Sequence, residues 1–233
     1  NNPAFFASAS KAMLLYQPGV PNFFSVPSFS KETPIVSAPY SKAAEILEAR
    51  RPFNPYHDEF KISFPDTMRI SKYKSVVDWY KNPENMDYEK KLETVVAGVP
   101  TVFGWGGVHG AIEQYSGEGF FVNMDVSSLY PSLMIRYSLH SRSCKPSKFN
   151  DIVQTRLRYK KEKNPLQAPL KIVINGTYGA MKDETNPLYD PRQANNVCVH
   201  GQLLLLDLME HLEQIPGLKV ILSNTDGVLV KIE

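Results

Sequence analysis

Apolar and polar positions are weakly ordered at the start of this chain and sharply patterned toward its end. Residues 1–40 are rich in Pro, Ser and Phe and show little periodicity, as in "QPGVPNFFSVPSFSKETP". Such a stretch predicts irregular or extended segments, with enough aromatic content to argue against full disorder. "SKAAEILEAR" (Ser41–Arg50) predicts a short helix with a Ser near its start. "SKYKSVVDWY" and "MDYEKKLETVVAG" read as two helices separated by the Asn-Pro of "KNPEN". "GWGGVHGAIEQY" reads as a glycine-rich loop, and "EGFFVNMDVSSLYPSLMIRYSL" as an apolar strand running into a helix. Next come a basic helix, "FNDIVQTRLRYKKEKNP", ended by Pro165, and a second helix within "PLKIVINGTYGAMKD". "PRQANNVCVHGQLLLLDLMEHLEQIPG" predicts a long amphipathic helix stopped by Pro216-Gly217. "KVIL" and "GVLVKI", joined by "SNTD", complete the chain as a hairpin. There is no internal repeat and no low-complexity tract.

With 233 residues, 42% of them hydrophobic, the chain can bury a core as one large domain or two small ones. A net charge of +2 neither demands nor excludes a nucleic-acid partner, because a local basic patch matters more than the total. Cys144 and Cys198 are far apart and lack metal-ligand spacing, so they are expected as free thiols in a reducing compartment. No apolar run approaches the roughly 18–20 residues needed to span a bilayer. "NNPAFFASASK" also lacks the charge pattern of a signal peptide. The expectation is a soluble intracellular protein with no membrane partner.

Two carboxylates stand out. The apolar run Phe120–Met124 ends at Asp125, at the exit of an expected central strand, and Asp226 lies in the turn of the last hairpin. Each has an ordinary reading: Asp125 as a cap for the helix that follows, Asp226 as a turn residue. The alternative needs their strands to be neighbours in one sheet. Two carboxylates held side by side repel each other unless a cation sits between them. Hard oxygen ligands suit Mg²⁺ or Mn²⁺, which accept water and substrate phosphates as further ligands. That is the chemistry of phosphoryl or nucleotidyl transfer with two metals roughly 3.5–4 Å apart.

The basic helix offers the complementary charge. Arg156 and Lys160 are spaced i, i+4, on one helical face. Lys171 opens the next helix, with Asn175, Tyr178 and Gly179 following at near-helical spacing. Arg156, Lys160 and Lys171 facing inward would bind a triphosphate; a solvated basic face is the plainer alternative. The two carboxylates and the cationic helix pair together favour a nucleotide-triphosphate site.

These residues resemble the family B DNA polymerases. "DVSSLYPS" (Asp125–Ser132) is similar to the family's first polymerase motif, D-x-x-S-L-Y-P-S. "KIVINGTYG" (Lys171–Gly179) resembles the second, K-x-x-x-N-S-x-Y-G, with Gly176 in place of Ser. "SNTDG" (Ser223–Gly227) resembles the third, D-T-D-S, with Asn224 for the first Asp and Gly227 for the Ser. Arg156 and Lys160 fall where the family carries an R-x-x-x-K pair. "FGWGGVHG" (Phe103–Gly110) resembles the Y-x-G-G segment of protein-primed members, which contacts the template strand.

The resemblance covers roughly residues 100–233 and implies an α+β fold. It implies a polymerase palm with an antiparallel, ferredoxin-like sheet over residues 101–233, backed by the long helix around 197–215. A short helical fingers insertion would span about 149–182, after an N-terminal region, 1–100, without clear exonuclease motifs. It implies Asp125 and Asp226 as catalytic metal ligands for Mg²⁺ or Mn²⁺, with the Val126 carbonyl as a further ligand. Ser128 and Leu129 would offer backbone N–H groups to phosphates, and Tyr130 would be the steric gate against ribose. Arg156, Lys160, Lys171 and Asn175 would face the incoming dNTP, with Tyr178 and Gly179 lining the nascent base pair. The implied reaction is template-directed DNA synthesis. The implied partners are primer-template DNA, dNTPs, a downstream thumb segment and other replication proteins. A phage-type enzyme in a bacterial or phage-infected cytoplasm, associated with the nucleoid, is the expected setting. A non-catalytic DNA-binding relic of a palm and a template-independent nucleotidyltransferase are the alternatives.

Overall fold

A computed structural model describes residues 59–65 and 67–232. The expected irregular segment 1–40 and the helix over Ser41–Arg50 lie outside them. The fold is α+β: a six-stranded antiparallel sheet with five α-helices among the described residues. In chain order these are α1 (Lys74–Lys81), β1 (Lys91–Val96), β2 (Val99–Gly104), β3 (Gly107–Ala111), β4 (Phe120–Asp125), α2 (Leu129–Arg136), α3 (Pro146–Lys161), α4 (Gln167–Lys182), α5 (Pro191–Leu212), β5 (Leu218–Asn224) and β6 (Gly227–Ile232). The chain divides into two compact units, one running through Ile62–Tyr137 and Asn195–Glu233, the other including Ser138–Ala194.

The first unit holds the whole sheet, in the order β1-β2-β3-β5-β6-β4. It takes in Ile62–Tyr137 and Asn195–Glu233. Two expectations are corrected here. "MDYEKKLETVVAG" is not a helix: Lys91–Val96 is β1, paired with β2 from Val96↔Val99 outward. Ala97 (φ 49°) and Gly98 (φ 78°) form the two-residue link, and positive φ at both positions is the pattern of the I′ turns that suit twisted hairpins. "GWGGVHGAIEQY" is not a loop throughout, because Gly107–Ala111 is β3, paired with β2 and then with β5. Glycine is required inside that strand: a Cβ at Gly110 would lie 2.6 Å from Thr101 Oγ1 and 3.0 Å from the Pro100 carbonyl. Gly110, read as a loop marker, is therefore a packing position within a sheet.

β4 is a strand as expected, but an edge strand rather than a central one. Its one neighbour is β6, and its Phe120 (81% exposed), Phe121 and Val122 side chains are exposed. β5 and β6 form the predicted hairpin, with a bulge between Val220 and Leu222.

From Asn195 onward, α5 packs against this sheet, and buried polar residues along it bond to other parts of the chain. Gln202 donates from Nε2 to the Gly104 carbonyl of β2 (2.8 Å) and accepts the Tyr80 hydroxyl (2.8 Å). Asn196 accepts the N–H (2.7 Å) and hydroxyl (2.9 Å) of Ser63, and the His200 ring contacts the Ser63 carbonyl. Glu210 accepts the N–H groups of Ser71 (2.9 Å), Lys72 (3.2 Å) and Tyr73 (3.3 Å) and the Ser71 hydroxyl (2.6 Å). Ser63 and Ser71–Tyr73 are therefore tied to α5 as a strap that leads to the start of α1. Gly201 lets α2 approach α5 closely, since a Cβ there would lie 3.3 Å from the Tyr130 ring and 3.4 Å from Leu129 Cδ2.

In the second unit, α3 and α4 pack on each other as a helical hairpin. Pro146 opens α3 at the position where a missing N–H costs nothing. Asp190, fully buried, pairs with Arg142 through two contacts of 3.0 Å and accepts the Arg142 and Gln193 N–H groups. It thereby caps the first turn of α5. Neither cysteine forms a disulfide and both are buried; burial pushes the Cys144 thiol up to about 12. No helix among the described residues is long and apolar enough to cross a membrane.

The Glu210 contacts give a pH prediction. Burial alone would raise its carboxyl, but the bonds from Ser71, Lys72 and Tyr73 outweigh it and hold the group below the ordinary carboxylate range. Stabilisation from a lowered carboxyl is complete above the unfolded value of about 4.3 and is lost as pH falls through the lower folded value. Glu210→Gln is expected to cost about 1–3 kcal/mol near neutral pH. Urea unfolding at pH 7 and pH 4 should show the gap between the two proteins narrowing in acid.

Candidate functional site

The site begins with strand register. β4 pairs with β6 so that Asp125 stands opposite Gly227, and one residue beyond the ladder the Val126 N–H bonds the Asp226 carbonyl at 2.8 Å. The two carboxylate-bearing residues therefore occupy adjacent backbone positions at one end of neighbouring strands, as their spacing required. Both are exposed. Asp125 does not cap the following helix; Ser128 is its N-cap residue.

Gly227 keeps the space beside Asp125 open. A Cβ at Gly227 would lie 3.0 Å from the Met124 carbonyl and 3.5 Å from Asp125 Oδ1. The hairpin turn is braced from within, with Asn224 Oδ1 accepting the Thr225 N–H at 2.8 Å. Among the described residues, no group of three or more His, Cys, Asp or Glu side chains is placed to hold a metal. A cation at the Asp125–Asp226 pair would draw its remaining ligands from carbonyls, water or substrate oxygens.

The link from β4 to α2 turns sharply. Ser128 has φ 57° and ψ 45°, left-handed values that a residue with a Cβ adopts at a cost of about 1–2 kcal/mol. That turn brings α2 back from the strand end, with Leu129 buried and Tyr130 half-buried. The Tyr130 hydroxyl lies 4.0 Å from Cys198 Sγ, so the ring is braced against α5 beside Gly201.

The other predicted residues are in the helical unit. On α3, Phe149, Val153 and Arg156 make the buried face, with Arg156 only 8% exposed, while Lys160 one turn later is exposed. Their i, i+4 spacing therefore does not give both the same environment. On α4, Ile174, Thr177, Ala180 and Met181 are buried, whereas Lys171, Asn175 and Gly179 form an exposed stripe. Tyr178 is half-buried, with Lys182 Nζ 5.0 Å from its ring centroid.

Sequence reasoning missed the residues that border the carboxylate turn from the β3 side. A Cβ at Gly107 would lie 3.4 Å from Thr225 Oγ1 and 3.6 Å from His109 Nε2. The β2–β3 hairpin thus reaches the Asn224–Asp226 turn. The alternation Val108-His109-Gly110 within a strand was the available signal, obscured because the segment was read as a loop.

No family model and no curated protein matches the chain. Among solved structures, the family B DNA polymerase from the hyperthermophilic archaeon Pyrobaculum calidifontis is similar to it with a TM-score of 0.42 and 21% identity. The match covers 65% of this chain and 24% of that one, so the chain spans about a quarter of that polymerase's length.

Gly227→Ala is expected to displace the Asp125 carboxylate, because backbone on the facing strand leaves no room for a methyl group. A cost of about 1–3 kcal/mol follows from overpacking. Thermal unfolding would record it, and chemical-shift changes at Asp125 and Met124 larger than elsewhere in β4 would localise it.

Proposed function

We propose that this chain carries the nucleotidyl-transfer site of a template-directed DNA polymerase, joining a nucleotide from a dNTP to a primer 3′-hydroxyl. The observation that supports it best is the pairing of β4 with β6, which sets Asp125 and Asp226 on adjacent strand ends. The eight-residue segment Asp125–Ser132 adds to it.

Asp125, Asp226 and the Val126 carbonyl are hard oxygen donors at an exposed strand end, and such a set fits Mg²⁺ or Mn²⁺. Bound there, these ions would lower the pKa of the attacking hydroxyl and offset charge on the leaving pyrophosphate. The chain's own contribution is position. Strand pairing holds the backbone that carries both carboxylates, which in this reading limits the reorganisation needed when charge develops. Ser128 and Leu129 stand where α2 begins, and N–H groups at a helix start suit phosphate oxygens. In this reading Tyr130, braced against α5, excludes a 2′-hydroxyl. The helical unit carries Lys160, Lys171 and Asn175 at exposed positions, with Arg156 buried and Tyr178 half-buried; in this reading these five residues serve the dNTP.

Primer extension on a primed template, with Mg²⁺ or Mn²⁺ and four dNTPs, tests the proposal. Extension is expected from the wild-type chain and is expected to vanish in Asp125→Ala and Asp226→Ala, with DNA binding retained. Activity surviving in Asp226→Ala would refute the metal-site assignment. Salt-sensitive DNA binding without extension, indifferent to metal and nucleotide, would identify an accessory module. Product made without a template would identify a different nucleotidyltransferase. Tyr130→Ala is expected to incorporate ribonucleotides in the same assay, and unchanged sugar selectivity would remove the gate role.

A further inference from the structure

On the sheet face opposite the buried Val220, Val228 and Val230, strands β4, β5 and β6 line up in successive rows. In the first row Asp125 stands across from Gly227, and Gly227 from Asn224. The next row on this face holds Asn123, Leu229 and Leu222, with Ala111 of β3 beyond them. In the row after that, Phe121 pairs with Lys231, and Lys231 with Lys219. Directly paired residues project to the same side of a sheet, so each row presents its side chains together.

The second and third rows border a hollow of about 450 Å³, walled by Ile112, Tyr115, Phe121, Ile221, Leu222 and Leu229. The link from β3 to β4 closes one side of it. There the Ile112 N–H bonds the Ile221 carbonyl at 3.0 Å, and Gln114 takes a positive φ of 51°. The Tyr115 ring then stands edge-on to Phe121, with centroids 6.3 Å apart. Phe121 (41% exposed) and Leu222 (38% exposed) line the hollow yet remain accessible. A volume and an apolar, aromatic lining of this kind suit a small molecule, and exposed apolar surface beside charge marks binding surfaces.

The charge sits at one end. Lys219 and Lys231 are direct partners on adjacent strands, a position in which like charges destabilise a sheet. Lys219 Nζ lies 5.3 Å from the centroid of the Tyr115 ring, at the wall of the hollow. Neither lysine has an ion pair among the described residues, and Glu113 and Glu118 of the link pair with neither. An anion between the two ammonium groups would offset their repulsion.

We propose that this hollow binds a small aromatic anion, its ring against Tyr115, Phe121, Leu222 and Leu229 and its carboxylate or sulfonate head between Lys219 and Lys231. The row of Leu222 and Leu229 separates this site from the row that carries Asp125. It does not depend on the proposed transferase activity.

Fluorescence titration with anilinonaphthalene sulfonate tests the site, beside phenylnaphthylamine, which has the same aromatic body and no charge. The wild-type chain is expected to bind one sulfonate molecule about tenfold more tightly than the neutral compound, a difference two exposed ion pairs can supply. Replacing both lysines, Lys219→Gln with Lys231→Gln, should erase that preference and leave affinity for the neutral compound unchanged. Leu222→Glu sets a carboxylate in an accessible wall and should abolish sulfonate binding. Ile215→Glu, at an exposed apolar residue outside the hollow, should not. Melting temperatures check that each variant is folded, and the lysine pair gives a reading independent of Leu222. A preference for the sulfonate that survives the lysine changes would overturn the proposal. So would binding that Leu222→Glu leaves intact, or a wild-type chain that binds neither compound. Displacement of the sulfonate by dATP or by a primer-template duplex would also overturn it, because the hollow would then belong to the transferase site.

Discussion

Three successive backbone N–H groups, those of Ser71, Lys72 and Tyr73, depend on one buried carboxylate, Glu210. Remove it and the entry to α1 loses its partners. The same demand recurs along α5, which carries Asn196, His200, Gln202 and Glu210 at buried positions. Water cannot satisfy these groups, so each must meet something the chain brings to it. The strap, through Ser63 and Ser71–Tyr73, meets three of them, and the Gly104 carbonyl of β2 meets the fourth. A helix with a fully apolar inner face would pack on a sheet in many ways; these polar contacts admit far fewer. Tyr73 extends the arrangement, since its hydroxyl donates to Glu213 (2.9 Å) and accepts the Ala97 N–H (2.8 Å) of the β1–β2 turn.

Helix and sheet thus positioned, the spacing of the site is set by glycines more than by side chains. Gly201 sets how near α2 lies to α5, Gly110 lets β3 lie between Thr101 and Ser223, and Gly227 keeps a gap beside Asp125. The carboxylates themselves are exposed at the strand ends and contribute little to cohesion. The burden of stability falls on α5, the strap and the valines of β5 and β6, leaving the rim free to carry charge that would repel itself in a core.

Parts of this were legible in the chain because local signals agreed with tertiary ones. The apolar run before Asp125, the β5–β6 hairpin, the α3–α4 pair and the long helix all lie where periodicity and stop residues place them. The N-terminal part of the sheet was not legible. "KLETVV" alternates with period two, yet it follows a charged run with helical composition, and the turn that reverses it depends on Ala97 adopting positive φ, which Ala rarely does. In "GWGGVHGA", glycines suggest a loop, while the reason for Gly110, the Thr101 and Ser223 hydroxyls on either side of it, comes from two neighbouring strands, one of them more than a hundred residues away. The edge position of β4 was hidden for a similar cause: an apolar run reads as buried, and only the pairing order shows that it has one neighbour. Burial of Arg156 was equally invisible, because i, i+4 spacing reports a shared helix face without saying what covers it.

Ser128 has an implication for how this sequence can change over generations. Its left-handed backbone is a standing cost that Gly would remove and that Asn or Asp would lessen. A search for greater thermal robustness would therefore arrive early at this position, where relief is one substitution away. Yet the turn it forms separates the Asp125 strand end from the helix bearing Tyr130, and Gly there would trade a fixed corner for a loose one. A lineage that keeps Ser at 128 retains rigidity at the expense of heat tolerance; one that drifts to Gly makes the opposite bargain.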